Sequence, residues 1–520
     1  MLAPNGLPRP KVLALALWVT AVFIWLTFIG PPRSLTFVET RRHSSEAAFN
    51  LAADSNHIFL KEHPIKALHR QAQIELDELL ARQSKTFAAA ASGYLRRCHR
   101  HPPPGFERWY EFAVKHSSPI IDDFDIINES LAPFWNLSGV EVKRRLAGVR
   151  ESNGPWIRQC ESVKGQLSDG CQALGSELLP WLEETGVWSL LPELELIVND
   201  MDEPRILPSS DVDSDEDGFA AGDGKVVWTD QSRTRVWDSF TAACDFGGSD
   251  PKPKAPVSSA TANTKSRDLT LGLFDASKPS SLDLCQHPEY SRMHGVWDSP
   301  STLHTIRMAV PILSAAVPST MRDIPVPAPA YTHERFAYDE LDDVAWEDKT
   351  PGLYWADLTT GGWQGVAYQD WKQHHRQRFV ALVNDLDANA EYTYFARSPS
   401  SSSSSSSSLG HDDDDDNDDT TAAAAWQVRK SSALETSLYR VHFTGVVQCA
   451  DDATNAAIRE YFPIHSPDPK NEPLKYTLAF DLDGNGHSGR FYRLLSSRSL
   501  PLKQTVFREW HDERLKPWLH

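Results

Sequence analysis

Apolar residues recur at helical spacing in the first hundred positions and give way further on to dense apolar runs that end in polar clusters. From about 44 to 97, Phe59, Ile65, Leu68, Ile74, Leu79 and Leu80 fall at helical spacing, with ELDELLARQ the clearest amphipathic piece. HPPPGF at 101–106 breaks that pattern, because proline cannot continue a helix. ELELIVND, ending at Asp200, has the apolar density of a buried strand. LAFDL at 478–482 reads as another strand, followed by a glycine-rich turn, a short helix FYRLL opened by Arg490, and a second apolar stretch. That order is a βαβ pattern.

Residues 12–29, VLALALWVTAVFIWLTFI, are uncharged and mostly apolar, and long enough to span a bilayer. Arg9 and Lys11 precede them without an acidic residue, which favours a cytoplasmic tail at 1–11 and a far-side location for everything after about residue 30. A cleaved signal peptide is the alternative. Its apolar region is shorter, ~7–15 residues, and WLTFIGPPR offers a poor cleavage site.

With 520 residues and 40% hydrophobic content, the chain has room for two or three domains with real cores. The formal charge of -19 argues against nucleic-acid binding, although part of it sits in two acidic runs. One, SSDVDSDEDG, lies with PKPKAPVSSATANT in a surface insertion at 207–267. The other, DDDDDNDD, follows a serine run in a segment at 398–425 that cannot bury a core, and it reads as a disordered insertion inside one domain. All 6 cysteines lie on the far side of the apolar segment, where disulfides form. Cys160 with Cys171 is the favoured local pair, with free buried thiols the alternative. Sequons at Asn128 and Asn136 agree with a secretory lumen.

Two places carry candidate chemistry. Asp200, Asp202 and Glu203 follow the strand at 191–200, where open α/β sheets place their sites, and a single aspartate there can take a proton from an attacking hydroxyl. The competing reading is a cap or turn before Pro204. In the terminal segment, Gly484, Gly486 and Gly489 allow close backbone approach, while Arg490 and the N–H groups of a helix start suit a pyrophosphate. An ordinary strand-turn-helix connection fits the same residues. Metal sites are not supported. DLDGNG opens like a calcium loop but has Tyr492 at the twelfth position, and the run from Asp213 has Gly224 there. His374 and His375, in WKQHHRQRF, read as part of a basic helix face.

Taken in order, RRCHRHPPPGFERWYEFA, SPIIDDFDIINESLAPFW, NDMDEPR, HPEYSRMHGVW, VPILSAAVPSTMRDI, LYWADLTTGG and the segment from 478 to 520 resemble the fungal capsule-associated branch of family 90 glycosyltransferases, relatives of protein O-glucosyl and O-xylosyltransferases. The resemblance covers most of 95–520 outside the insertions. It implies an α/β fold of GT-B type: a stem and leading helices at 30–100, an acceptor-side Rossmann-like domain at 101–345, and a UDP-sugar-binding domain at 346–520. It implies inverting, metal-independent transfer of a sugar such as xylose or glucose from UDP to a hydroxyl of a glycan or glycoconjugate, with the UDP-sugar as substrate and no cofactor. Asp202 falls on the catalytic base and Arg490 on the diphosphate arginine, with Ser488 and Gly489 beside it. Thr359 and Thr360 fall in the small-residue run near the phosphates, and Glu509 in the donor-side motif. The expected location is a Golgi or endoplasmic-reticulum membrane.

Two departures from the family pattern stand out. Where members carry W-R-G-S/T, this chain has Trp355, Ala356, Asp357 and Leu358, so a cation is lost and an anion gained beside the expected phosphate. Losing a charge-assisted hydrogen bond costs roughly 1.5–3 kcal/mol, and a like charge at ~4 Å adds up to about 4 kcal/mol at intermediate dielectric. The family domain also continues beyond the KPW-x-H element, whereas the sequence stops at His520, so the donor domain is expected to be incomplete. These departures motivate an alternative, a catalytically degenerate member that binds glycans or partners.

Overall fold

The computed structural model describes residues 64–163, 166–175, 180, 184, 193–207, 226–244, 281–365, 369–397 and 424–519. The tail, the apolar segment at 12–29, the start of the stem including Phe59, the acidic and Pro/Ser/Thr-rich runs within 207–267 and the serine and aspartate runs after 397 lie outside them. Among the described residues, no helix is long and apolar enough to cross a membrane. Residues Lys61–His520 cluster as one unit.

Helices lead. α1 (Pro64–Ala81) opens on proline, whose fixed φ suits the first helical position. Its helical spacing is as expected, but Ala72 and Leu79 are the residues it buries, while Ile65, Ile74 and Leu80 stay exposed. α2 (Phe87–Cys98) is capped by Thr86, whose hydroxyl accepts from the Ala89 N–H at 3.2 Å, and it ends at His99 in the left-handed region. The proline run then separates it from α3 (Phe106–Lys115), and α4 (Asp125–Leu131) and α5 (Gly139–Glu151) follow.

The first sheet contains β1 (Ile157–Val163), β2 (Gln166–Leu167), β3 (Leu194–Asn199), β6 (Ile312–Ser314) and β7 (Ile324–Pro325), in the order β2-β1-β3-β6-β7. β4 (Thr229–Asp230) and β5 (His304–Thr305) form a separate ladder. β1 runs antiparallel to β3, and β3, β6 and β7 are parallel. Period-two alternation puts Ile197 and Val198 on opposite faces. Ile197 joins Val149, Ile206, Ile306 and Ile312, while Val198 packs on Cys160 and Cys171. Those two cysteines form a disulfide, as the spacing suggests; a second joins Cys244 to Cys285.

The second sheet is fully parallel: β8 (Thr350–Leu358), β11 (Tyr439–Gly445), β12 (Tyr476–Leu482) and β13 (Leu500–Gln504), in the order β11-β8-β12-β13. Its core gathers Trp355, Val380, Val383, Val441, Phe443, Ile458 and Phe462, the last six from strand β11 and the helices α6 (His375–Val383) and α7 (Asp452–Tyr461) or their ends. β9 (Glu391–Arg397) and β10 (Ala424–Lys430) pair antiparallel, so the chain leaves and re-enters at adjacent points around residues 398–423. α8 (Phe491–Leu495) connects β12 to β13, which completes the βαβ unit read from the sequence.

Both halves share one core. Val506 and Phe507, just past β13, pack with Trp237, Phe240 and Trp297. From there the terminal segment runs back over the leading helices: Arg508 pairs with Glu129, Arg514 donates to the Asp123 carbonyl, and Lys516 lies near Glu75.

Candidate functional site

The parallel sheet has a switch point. From β8 the chain passes to β11 on one side, then crosses to β12 on the other, so the strand order reverses between β8 and β12. A crevice outside the carboxyl ends of two such strands is where open α/β sheets bind ligands. Here the loops at that place are Thr359–Gly362 after β8 and Asp483–Arg490 after β12, and they touch: the Gly361 N–H donates to Asn485 Oδ1 at 3.1 Å.

Arg376, in the first turn of α6, fastens these two loops together. It is 2% exposed. Its guanidinium donates to the carbonyls of Leu358 (2.9 Å), Leu482 (3.1 Å) and Asp483 (2.7 Å), to the Thr360 hydroxyl (2.7 Å) and to the Asp357 carboxylate (3.0 Å). The segment WKQHHRQRF is therefore not an exposed basic face: His374, His375, Arg376 and Gln377 are all buried. Tertiary contacts supply partners for Arg376 and for one ring nitrogen of each histidine, whereas the Gln377 amide has none among the described residues.

Arg490 approaches the same point from the other loop. Its Nη1 donates to the Ala356 carbonyl at 2.9 Å, and its Nη2 lies 3.1 Å from Asp357 Oδ2. Asp357 thus sits between two guanidiniums. Burial pushes its carboxyl up, but Arg490 and Arg376 outweigh that and hold it below the usual carboxylate range.

Asp202 reaches the crevice from the first sheet. The turn after β3 is pinned from beneath: Asn199 donates to the Glu203 carbonyl and accepts from Arg205, Glu203 accepts from the Thr302 N–H and hydroxyl, and Asp323 accepts from the Arg205 and Ile206 N–H groups. Glu203 and Arg205 are fully buried, whereas Asp202 is partly exposed. Among the described residues its carboxylate has no hydrogen bond or ion pair. Its backbone lies against Gly486: a Cβ there would be 2.6 Å from the Asp202 carbonyl oxygen. Asp200 points elsewhere and pairs with Arg158.

The other expected donor-side residues face inward. Ser488 donates to buried Asp481, whose second oxygen meets Lys503 at 3.2 Å. Gly489 lies against Ala330 and Phe336, so its missing side chain permits packing. The Thr359 hydroxyl exchanges hydrogen bonds with the Val447 backbone, and Thr360 accepts from Arg376. Glu509 is buried, ion-paired with Lys503 at 2.9 Å, and accepts from Tyr331. Burial acts to raise its carboxyl, yet Lys503 prevails and holds it at about 2.

Sequence reasoning missed Arg376 and a buried histidine group. His294 stacks on His375 at 3.7 Å between ring centres, and burial drives both well below the ordinary histidine range, leaving neutral rings. His375 Nε2 lies 2.8 Å from the Asp483 carbonyl, and His374 lies 3.4 Å from Asp298. Gly295, beside His294, sits so close to Gly361 that a Cβ would be 2.2 Å from its carbonyl oxygen. Four of the quoted segments therefore meet here: NDMDEPR, HPEYSRMHGVW, LYWADLTTGG and the segment from 478 to 520. A signal for Arg376 did exist: with Val380 and Val383 it falls at i, i+4, i+7, the buried stripe of its helix.

Among the described residues, no group of three or more histidine, cysteine or acidic side chains is arranged to hold a metal ion. Two cavities, of about 70 Å³ beside Val317 and Arg508 and about 210 Å³ beside Arg150 and Gln159, do not include Asp202, Asp357 or Arg490. Comparison of the chain with models of protein families and with curated proteins finds no match.

Proposed function

We propose that this chain is a glycosyltransferase that moves a sugar, xylose or glucose, from UDP to a hydroxyl of a glycan or glycoconjugate. The observation that carries the reading is the meeting, at the switch point of a parallel sheet, of an unpaired aspartate and a glycine-rich loop that bears a guanidinium. In the proposed step, Asp202 accepts the proton of the acceptor hydroxyl as that oxygen bonds to the anomeric carbon. The bond to UDP breaks in the same displacement, which inverts the anomeric centre and calls on no metal. Arg490 and Arg376 face the negative charge that gathers on the departing diphosphate. Two Rossmann-like halves of GT-B type would face each other across this crevice.

The proposed setting is a Golgi or endoplasmic-reticulum membrane, held single-pass through 12–29 with the catalytic region lumenal. The two disulfides support an oxidising compartment. The full chain in detergent should release UDP from UDP-xylose or UDP-glucose in the presence of acceptor glycans. Asp202→Asn should lower turnover by about 10²–10⁴-fold, the usual contribution of a general base, while leaving UDP binding intact. Unchanged turnover in Asp202→Asn would refute the assigned base.

One observation favours a second reading, a family member that binds glycans or partners without transfer. Asp357 already occupies the guanidinium expected to hold the diphosphate. Calorimetric titration with UDP separates the two readings, because binding that depends on Arg490 counts against the degenerate one.

A further inference from the structure

Asp357 is a charged group at this site for which the proposed transfer chemistry has no use. Its Oδ2 lies 3.0 Å from Arg376 Nη1 and 3.1 Å from Arg490 Nη2, so one oxygen is shared by guanidiniums from two different elements. That is how a phosphate oxygen is held. The other oxygen accepts from the N–H of the next residue, Leu358, at 2.8 Å, a tie that any short acidic side chain can make and release.

The two arginines differ in how far they depend on Asp357. Arg376 keeps four other acceptors, three carbonyls and the Thr360 hydroxyl. Arg490 has one, the Ala356 carbonyl, and its Nη2 makes no well-aligned hydrogen bond although it is buried. The carboxylate between them is not sealed in: the Asp357 side chain is 32% exposed and the Arg490 side chain 21%. A structural counter-ion for a buried arginine would be expected to be buried with it, as Asp343 is with Lys349. Asp357 instead lies at the open end of β8, where rotation about its Cα–Cβ bond would carry the carboxylate into solvent.

We propose that Asp357 is a built-in anion that occupies the phosphate receptor formed by Arg376 and Arg490, so that a diphosphate-bearing ligand binds by displacing its carboxylate. This rests on reading the switch point as a nucleotide site. The exchange is of one anion for another, so the two guanidiniums face an anion throughout, and the receptor is never left without one. The consequence is selectivity: a ligand with a single weak anionic group gains nothing by the exchange, while a diphosphate with several oxygens makes bonds that one carboxylate cannot.

The test uses the full chain in detergent, titrated calorimetrically with UDP and separately with inorganic pyrophosphate. Asp357→Ala and Asp357→Asn are compared with the wild type and with Asp357→Ala/Arg490→Gln. The expected result is at least ten-fold tighter binding of both compounds in the single variants, lost again in the double variant. Equal UDP affinity in wild type and single variants sustains the nucleotide reading and overturns the role of Asp357. Tighter pyrophosphate binding without any UDP binding sustains that role and overturns the nucleotide reading. Folded single variants that bind neither compound more tightly than the wild type overturn the proposal. Asp357→Asn keeps the shape and the Leu358 contact should the alanine variant fail to fold. A wild-type structure with pyrophosphate settles the matter without mutation: Asp357 turned away from Arg490 is the expected result, and pyrophosphate beside an unmoved Asp357 overturns it.

Discussion

Gly486 is the contact between the Asp202 turn and the Arg490 loop, and replacing it with alanine should separate them. A Cβ there would lie 2.6 Å from the Asp202 carbonyl oxygen, 3.1 Å from its carbonyl carbon and 3.1 Å from its Cβ. Gly486 does not sit in the left-handed region, so alanine suffers no backbone strain and the effect is one of contact alone. Restoring an ordinary separation of about 3.4 Å moves the loops apart by roughly 0.8 Å, and overpacking of this kind costs about 1–3 kcal/mol. Stiffening of the unfolded chain offsets ~0.4–1 kcal/mol of that. A net loss of about 1–2 kcal/mol should appear as a lower midpoint of chemical unfolding with an unchanged slope. Function should suffer more than stability, because a misplacement near 1 Å between a base and the group it serves costs about 10²-fold in turnover. Gly484→Ala is the internal control. Its Cβ would meet Arg376 and Thr360 at 3.5 and 3.6 Å, ordinary contacts, and it should match the wild type. A Gly486→Ala variant as stable and as active as Gly484→Ala would refute the reasoning.

Two further outcomes follow from the buried polar groups. Arg376→Met should cost about 3–5 kcal/mol, measured by chemical unfolding, because three carbonyls lose the donor that Arg376 now supplies and Asp357 is left with Arg490 as its one cation. Burial raises the Asp483 carboxyl from 3.8 to about 7 despite Lys503 nearby. Folding therefore favours its protonated form, and its contribution is complete below about pH 4 and lost as the pH rises to about 7. Asp483→Asn should gain on the wild type across that window, so the difference in unfolding midpoint should be larger at about pH 8 than at about pH 5; equal differences would contradict the shift.

Much of what is local was legible in the chain. β3 was readable from ELELIVND because a dense apolar run bounded by acidic residues has few other uses, and the βαβ unit at 476–504 because its glycine turn separates two strand-like runs. The Cys160–Cys171 disulfide follows from a short loop that needs little closure. The helical period of 64–81 was readable too, but not which face it buries: Ala72 and Leu79 face the core only because other elements meet them there.

The long-range choices belonged to the tertiary structure. WKQHHRQRF is polar enough to suit solvent, and its Arg376 is buried because the carbonyls ending β8 and β12 supply acceptors that its own sequence neighbourhood lacks. Asp357 looked from the sequence like a charge in the wrong place; the fold brings two arginines to it and makes it their partner. Sequence alone determined the elements and the residue types at their ends, since these depend on backbone preference and apolar period within a few residues. Which ends meet, and which charge faces which, depends on strand order and on loops separated by more than a hundred residues, and only the folded chain decides that.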